Sequence, residues 1–198
     1  MIDPTLRDGA EGTGPDEQDQ SFGAASAVVH SRPRVVLVGP PGAGKSTIGR
    51  RLASSLNLPL VDSDVLIEQD EGRTCGEIYA ELGEDGFRAM EAGYVARALS
   101  TGGIVSLGGG AVLNETTRRL LQPHKVAWID VGVDEGVRRT AGNSLRPVLA
   151  AADPYQRYSE LLEQRAPLYR EVADFRVRTD GRPPQSIVAE VLGLIDSQ

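Results

Sequence analysis

The sequence predicts an α/β fold, in which a parallel sheet of five strands lies between layers of helices. Five short apolar runs alternate with stretches of helical periodicity, as in successive βαβ units. Most of the runs are rich in β-branched residues, and several end at glycine or aspartate, which is typical of strands buried on both faces. With 198 residues, 40% apolar and 25% charged, the chain holds one domain of ordinary size with or without a tail.

The first half of the chain contains three predicted strands. They are short apolar runs at residues 35–38, 60–61 and 104–107. Helices are predicted at residues 45–57, 64–71, 75–82 and 84–100. The first of these helices has apolar residues at helical spacing, and Thr74 with Glu77 has the spacing of a capping box for the third.

The second half contains two predicted strands, at residues 126–129 and 175–177. Helices are predicted at residues 115–121, 133–141, 154–171 and 184–196. Asn114 is a suitable N-cap, Asp153-Pro154 is typical of a helix start, and Pro167 is expected to disturb the helix that contains it. Residues 142–153 lack periodicity, and their length is typical of a mobile lid.

Charge is concentrated at the N-terminus. Residues 1–31 hold six acidic residues and one arginine, so they carry −5 of the net charge of −7. This segment has no apolar period and is predicted to be a disordered acidic extension, leaving residues 32–198 as the working domain. The domain is nearly neutral, so nucleic acid is not expected as a partner.

Composition excludes further classes of protein. No run of about 18 apolar residues exists, so no membrane span is expected, and the first 30 residues lack the pattern of a secretory leader. The single cysteine, Cys75, cannot form an internal disulfide, and no Cys/His cluster indicates zinc. A cytoplasmic location is therefore predicted.

A phosphate-binding motif follows the first predicted strand. Residues 39–47 (GPPGAGKST) fit the pattern G-x-x-x-x-G-K-[ST] between a strand and a helix. Gly42 and Gly44 allow the backbone to turn its N–H groups towards phosphate oxygens at a helix N-terminus. Lys45 can reach the β- and γ-phosphates, and the Ser46 hydroxyl can bind Mg²⁺. The motif predicts nucleotide binding.

The next two predicted strands end at polar residues and at glycines, respectively. Asp62-Ser63-Asp64 could supply one carboxylate to a metal and one to an acceptor hydroxyl, or could simply cap a helix. Residues 108–110 are three glycines, which suit either a close approach of ligand to backbone or a flexible turn. Spacing leaves both pairs of alternatives open.

Several arginines lie in segments that could border the same cleft, where arginine would form paired hydrogen bonds with carboxylate or phosphate. Most arginines on helices are simply solvated. Arg146 is the stronger candidate, because it lies in the predicted lid and could stabilise charge on a transferring phosphoryl group. The candidates are Arg88, Arg138, Arg139, Arg146 and Arg165.

Together these motifs resemble those of the shikimate kinases, which have the nucleoside-monophosphate-kinase-like P-loop fold. The resemblance extends over residues 33–196 and is more specific than the phosphate loop alone. It rests on residues 39–47, 61–64 (VDSD), 83–91 (GEDGFRAME), 107–112 (LGGGAV), 145–149 (LRPVL) and 165–169 (RAPLY).

The resemblance implies ATP-dependent phosphorylation of the 3-hydroxyl of shikimate, on the route to chorismate and the aromatic amino acids. It implies catalytic roles for Asp64, Lys45 and Arg146, with Asp64 orienting or deprotonating the attacking hydroxyl. Glu91 would hold the arginines that grip the shikimate carboxylate. The implied ATP-binding residues are Gly42, Ala43, Gly44, Lys45, Ser46, Thr47, Arg139 (against the adenine) and Arg146. The implied shikimate-binding residues are Asp64, Arg88, Gly109, Gly110 and Arg165, and the implied Mg²⁺ ligands are Ser46 and Asp62.

Two alternatives remain beside this interpretation. One is a gluconate-type or nucleotide-type kinase of the same fold, which would accept a different hydroxyl. The other is a nucleotide-binding module without catalysis, although such a module need not keep Lys45, Ser46, Asp62 and Asp64 together. ATP and shikimate are the expected partners of a monomeric enzyme.

Overall fold

The computed structural model describes residues 32–141 and 153–197. The strands are β1 (Pro33–Val38), β2 (Leu60–Asp62), β3 (Gly103–Ser106), β4 (Val126–Asp130) and β5 (Phe175–Arg178). The helices are α1 (Lys45–Leu56), α2 (Ser63–Glu71), α3 (Cys75–Leu99), α4 (Glu115–Leu121), α5 (Val133–Thr140), α6 (Pro154–Val172) and α7 (Pro184–Asp196), and a 3₁₀ turn spans Ala111–Leu113.

All five strands are parallel and lie in the order β2-β3-β1-β4-β5. The predicted α/β class is confirmed. Because β2, β3 and β1 are parallel neighbours, the segments that leave them meet at the carboxyl edge of the sheet. Ligands of such sheets bind beyond the carboxyl ends of the strands, so this edge is where a site is expected.

The core consists of two layers on opposite faces of the sheet. Alternate residues of β1 enter different clusters: Val35 and Leu37 pack with α1 and α7, whereas Val36 and Val38 pack with α3 and α4. This alternation is the period of two expected of a strand buried on both faces. The sheet is thereby fixed between helices, and the loops at its carboxyl edge start from a rigid base.

Local signals in the sequence place most helix ends correctly. Thr74 and Glu77 form the predicted capping box, and the Asn114 carboxamide oxygen accepts from the N–H of Thr116 at 2.8 Å. The Asp153 carboxylate accepts from the N–H of Gln156 at 3.0 Å. The break predicted between residues 82 and 84 exists as a kink at Gly83, which has a φ of 69°.

Three observations differ from the predictions or lie outside them. Helix α6 continues through Pro167 as one uninterrupted helix, so the expected disturbance does not break it. The 3₁₀ turn after β3 was not predicted. The predicted acidic extension (1–31) and most of the predicted lid, with Arg146, fall outside the described residues.

Within the described part of the chain, no helix is long and apolar enough to cross a membrane.

Candidate active site

The phosphate loop connects β1 to α1 and requires glycine for two different reasons. Gly44 precedes α1 in the left-handed region, with a φ of 94°, which an L side chain rarely adopts. A Cβ on Gly39 would overlap the carbonyl of Ile129 in the neighbouring strand β4. The loop therefore lies tightly against the sheet edge, with the N-terminus of α1 directed at the site, as the motif predicts.

Lys45 is held at the centre of this loop. Its side chain is 8% exposed, and Nζ donates to the carbonyls of Gly39 at 2.7 Å and Pro40 at 3.1 Å. A cavity of about 260 Å³ adjoins it, lined by Gly42, Gly44, Lys45, Ser46, Thr47, Arg139 and Thr140. A cation and a helix N-terminus at one cavity make it suitable for a polyphosphate.

Ser46 and Asp62 meet across the phosphate loop and β2. The Ser46 hydroxyl lies 3.1 Å from Asp62 Oδ2, while Asp62 Oδ1 accepts from the N–H of Asp64 at 3.1 Å. Asp62 therefore caps α2 with one oxygen, which is one of the alternatives left open by the sequence, and directs the other oxygen at Ser46. Hydroxyl and carboxylate oxygens are the ligands that Mg²⁺ prefers, so this pair fits that ion.

Magnesium in phosphoryl-transfer sites is usually held by one or two protein groups together with phosphates and water. Among residues 32–141 and 153–197, no group of three or more His, Cys, Asp or Glu side chains could hold a metal. A Ser46–Asp62 pair beside a phosphate cavity matches a site with two protein ligands completed by phosphates and water. It does not require a cluster of three or more protein ligands.

The backbone of the three glycines after β3 lies close to side chains of other elements. The N–H of Gly108 donates to the Ser63 hydroxyl at 3.0 Å, which ties this segment to α2. A Cβ on Gly108 would lie 2.5 Å from Asp64 Oδ1 and 2.6 Å from Glu91 Oε1. Side chains therefore crowd Gly108, whereas the predicted approach of a ligand to the backbone of these glycines stays a prediction.

Arg88 and the buried Glu91 form an ion pair one turn apart on α3. Arg88 Nη1 donates to Glu91 Oε2 at 2.6 Å, and the guanidinium occupies the space that a Cβ on Gly110 would need. Glu91 is 1% exposed; burial raises the pKa of its carboxyl, although Arg88 opposes the shift. Arg88 Nε and Glu91 Oε1 are both buried without a hydrogen-bond partner in the described part of the chain.

Arg165 of α6 completes this side of the site. It is 4% exposed, Nη1 donates to the carbonyl of Gly109 at 3.1 Å, and Nε is buried without a hydrogen-bond partner in the described segments. The hydroxyl of Tyr169, one turn later, donates to the same carbonyl. Burial raises the pKa of the Tyr169 phenol to about 12, so it acts as a neutral donor at physiological pH.

These contacts bring together the acceptor-side residues that the resemblance implied. Asp64, Arg88 and Arg165, with Glu91, surround the three glycines, although they come from three different helices. Two arginines with spare donors, Arg165 buried and Arg88 partly buried, can bind a carboxylate, and Asp64 beside them can accept a proton from a hydroxyl. The cluster suits a small hydroxy acid.

Arg139 lies on the other side of the phosphate loop. Its guanidinium donates to the carbonyl of Gly42 at 3.2 Å, to Oγ1 and the carbonyl of Thr179 at 3.1 Å each, and to Glu135 at 2.6 Å. Hydrogen bonds from Arg138 and Arg139 lower the pKa of Glu135 to about 2. Arg138 is mostly exposed, and its hydrogen bonds in the described structure go to Glu135.

A larger cavity of about 400 Å³ lies beside Arg139. It is lined by Ala43, Gly44, Thr47, Ile48, Glu135, Arg138, Arg139, Thr179, Gly181, Arg182, Pro184 and Ile187. The two cavities share Gly44, Thr47 and Arg139, so a ligand with phosphates in one can extend into the other. The position of Arg139 is compatible with the predicted adenine contact, which stays a prediction.

Sequence reasoning assigned no role in the site to four residues that hold it together: Ser63, Tyr158, Tyr169 and Thr179. Tyr169 could have been found, because it follows Arg165 by four residues and shares its helix face. Tyr158, whose hydroxyl donates to the carbonyl of Pro41 at 2.6 Å, gives no local signal. Its partner is 117 residues away in the sequence.

Comparisons with known proteins agree on one family. The family model for shikimate kinase matches residues 41–196. The shikimate kinase of Corynebacterium efficiens is 65% identical over 162 residues, covering 82% of this chain and 96% of that protein. The shikimate kinase of Corynebacterium diphtheriae is 58% identical over 166 residues, covering 84% and 96%.

Solved structures give the same result. The structure of shikimate kinase from Acinetobacter baumannii in complex with shikimate is similar with a TM-score of 0.78 and 33% sequence identity. The match covers 86% of this chain and 96% of that one.

Proposed function

The chain belongs to the shikimate kinase family, and from this premise we propose how its residues carry out the reaction. The enzyme transfers the γ-phosphoryl group of ATP to the 3-hydroxyl of shikimate, giving shikimate 3-phosphate and ADP. The reaction is a step of aromatic amino acid biosynthesis. The monomeric state, the cytoplasmic location and the division at residue 32 stay predictions.

One observation supports the assignment of roles more than any other. The phosphate loop and the acceptor cluster touch, because a Cβ on Gly109 would lie 3.1 Å from Pro41 Cδ. The carbonyl of Gly109 is itself bound by Arg165. A hydroxyl held by the cluster around the three glycines would therefore face phosphates held by the loop, which is the geometry that phosphoryl transfer needs.

On the nucleotide side, the backbone N–H groups from Gly42 to Thr47 would bind the phosphates of ATP. Lys45 would neutralise charge on the β- and γ-phosphates as the bond to the leaving oxygen breaks. Arg139 would form one wall of the nucleotide cavity. Arg146 lies outside the described residues, and its role towards the transferring phosphoryl group stays a prediction from the sequence.

Ser46 and Asp62 would hold Mg²⁺, Asp62 partly through water. When bound, the ion would neutralise charge on the phosphates. The carboxylate of Asp62 keeps its second oxygen on the N-terminus of α2, which fixes its orientation towards the phosphate loop.

On the acceptor side, Arg88 and Arg165 would grip the carboxylate of shikimate through their unused donors. The backbone of Gly109 and Gly110 would contact the shikimate ring closely. Asp64 would orient the 3-hydroxyl and take its proton as the oxygen attacks the γ-phosphorus. Glu91 would fix the guanidinium of Arg88 rather than touch the substrate.

A coupled assay for ADP formation tests the function directly, with shikimate, gluconate and AMP as separate acceptors. We expect turnover with shikimate only. Turnover with gluconate or AMP in its place would favour another small-molecule kinase, and nucleotide binding without transfer to any acceptor would favour a binding module.

Arg165→Lys tests the acceptor side. Lysine keeps the charge but cannot form paired hydrogen bonds with a carboxylate, so we expect the KM for shikimate to rise about ten- to a hundredfold. The KM for ATP should change less than twofold. Steady-state kinetics with each substrate varied in turn measure both values.

The matched control is Arg170→Lys, an exposed arginine on the same helix. We expect this variant to keep both KM values of the wild type. If Arg165→Lys raised the KM for ATP and left that for shikimate unchanged, the assignment of Arg165 to the acceptor would be wrong.

A further inference from the structure

We propose that Tyr158 is a positioning residue for the nucleotide, because it holds the phosphate loop in the conformation that binds ATP. Tyr158 lies in the second turn of α6 and is completely buried. Its hydroxyl donates to the carbonyl of Pro41, within the loop, at 2.6 Å. The inference rests on the nucleotide site proposed above and adds a residue outside it.

Side-chain donors bind four consecutive carbonyls of the phosphate loop. Lys45 binds the carbonyls of Gly39 and Pro40, Tyr158 binds that of Pro41, and Arg139 binds that of Gly42. A loop that points its N–H groups into an anion site must direct its carbonyls elsewhere. Donors placed on those carbonyls therefore favour the conformation that binds phosphate.

Tyr158 differs from the other two donors in its position. Lys45 and Arg139 line the cavities beside the loop and belong to the proposed nucleotide site. Tyr158 lines neither cavity and approaches the loop from α6. Because the nucleotide does not compete for its hydroxyl, Tyr158 can keep its bond to Pro41 with or without ATP.

Helix α5 is shaped to admit the Tyr158 ring. Gly136 lies inside α5, where glycine disfavours the helix, and a Cβ there would overlap the ring and hydroxyl of Tyr158. The same part of α5 packs on the loop, since a Cβ on Gly42 would lie 3.2 Å from the carbonyl of Gly136. The ring is thus enclosed between α5 and the phosphate loop.

Tyr158→Phe removes the hydroxyl and leaves the ring in place. The buried carbonyl of Pro41 then loses its donor, so the loop is less restricted to the conformation that binds phosphate. We expect the Kd for ADP and the KM for ATP to rise about three- to tenfold. The KM for shikimate should stay within twofold of the wild-type value, because Tyr158 and Tyr169 belong to core layers on opposite faces of the sheet.

The matched control is Tyr155→Phe, the same change on the same helix at a residue that is 53% exposed. It should leave both KM values and the Kd for ADP unchanged. Calorimetric titration with ADP, steady-state kinetics and thermal unfolding are measured on the full chain for both variants. If Tyr158→Phe folds only at low temperature, its Kd for ADP is compared with that of the wild-type protein at that temperature.

A selective loss of nucleotide affinity supports the proposal. A lower Tm with an unchanged Kd for ADP would show that Tyr158 acts only on stability, and equal changes in both KM values would show a general distortion; either result overturns the proposal. Failure of the proposed function is distinguishable, because the wild-type enzyme itself would then bind no ADP or transfer no phosphate to shikimate.

Discussion

Asp64→Asn should lower the kcat with shikimate by about 10²- to 10⁴-fold, the range expected when a general base is removed. Asparagine keeps the shape of the side chain and can still orient a hydroxyl, but it cannot accept the proton. The Kd for ADP should change less than twofold, because Asp64 Oδ1 lies against Gly108 in the acceptor cluster. Single-turnover phosphoryl transfer and a separate ADP titration measure the two effects.

The control for this variant is Asp85→Asn, which changes an exposed carboxylate on α3. It should have wild-type activity. Near-full turnover of Asp64→Asn would remove Asp64 from the role of base and leave the chemical step to Lys45 and the bound phosphates. A loss of ADP binding equal to the loss of turnover would instead place Asp64 on the nucleotide side.

Lys45→Met should also lower kcat strongly, by about 10²- to 10³-fold, which is typical when one preorganised charge-stabilising donor is removed from an active site. Methionine has a similar length but no charge. The carbonyls of Gly39 and Pro40 would lose their donor at the same time, so the KM for ATP should rise as well. The KM for shikimate should be nearly unchanged. Kinetics at saturating ATP separate the effect on kcat from the effect on binding.

The sequence offers a suitable control, because the chain has two lysines. Lys125 donates to the carbonyl of Ile195 at the end of α7, so Lys125→Met removes the same charge away from the phosphate loop. We expect wild-type kinetics from this variant. Equal losses of activity from both lysine variants would mean that net charge, and not the position of Lys45, accounts for the effect.

Asp64→Asn and Lys45→Met should affect nucleotide binding differently, because they change different sides of the site. Asp64→Asn should spare nucleotide binding, whereas Lys45→Met should weaken it, although both lower the rate of transfer. Arg165→Lys adds a third response, in which the KM for shikimate rises with little effect on ATP. A set of variants that all lowered kcat without this separation would contradict the division into a nucleotide side and an acceptor side.

The strands, most helix boundaries and the phosphate loop could be predicted because their signals are local. The capping box at Thr74 depends on residues three apart, and the alternation along β1 depends on adjacent residues. The phosphate motif is also continuous in sequence, from Gly39 to Thr47. The effect of Pro167 was harder to predict, because the surrounding packing decides whether a helix tolerates an internal proline. In the structure, α6 continues through Pro167.

The acceptor side could be predicted only by resemblance. Spacing left Asp62 as either a cap or a metal ligand and the three glycines as either a turn or a close approach. The distances show that Asp62 caps α2 through the N–H of Asp64 while its other oxygen faces Ser46; its role as a metal ligand stays a prediction. For the glycines, the contacts of Gly108 show that Asp64 and Glu91 lie against this segment, which no local pattern could reveal.

By itself, the sequence determined an α/β sheet with a nucleotide loop after its first strand, because apolar periodicity, helix caps and a glycine-rich loop depend on near neighbours in the chain. Only the tertiary structure decided that Arg88 and Arg165 adjoin the same glycines and that Tyr158 binds the loop. Those distances depend on how helices pack across the sheet, and no pattern within a few residues of Tyr158 or Pro41 contains that information. The physical reason is the same in each case: buried polar groups find partners through packing, at whatever separation in sequence the fold requires.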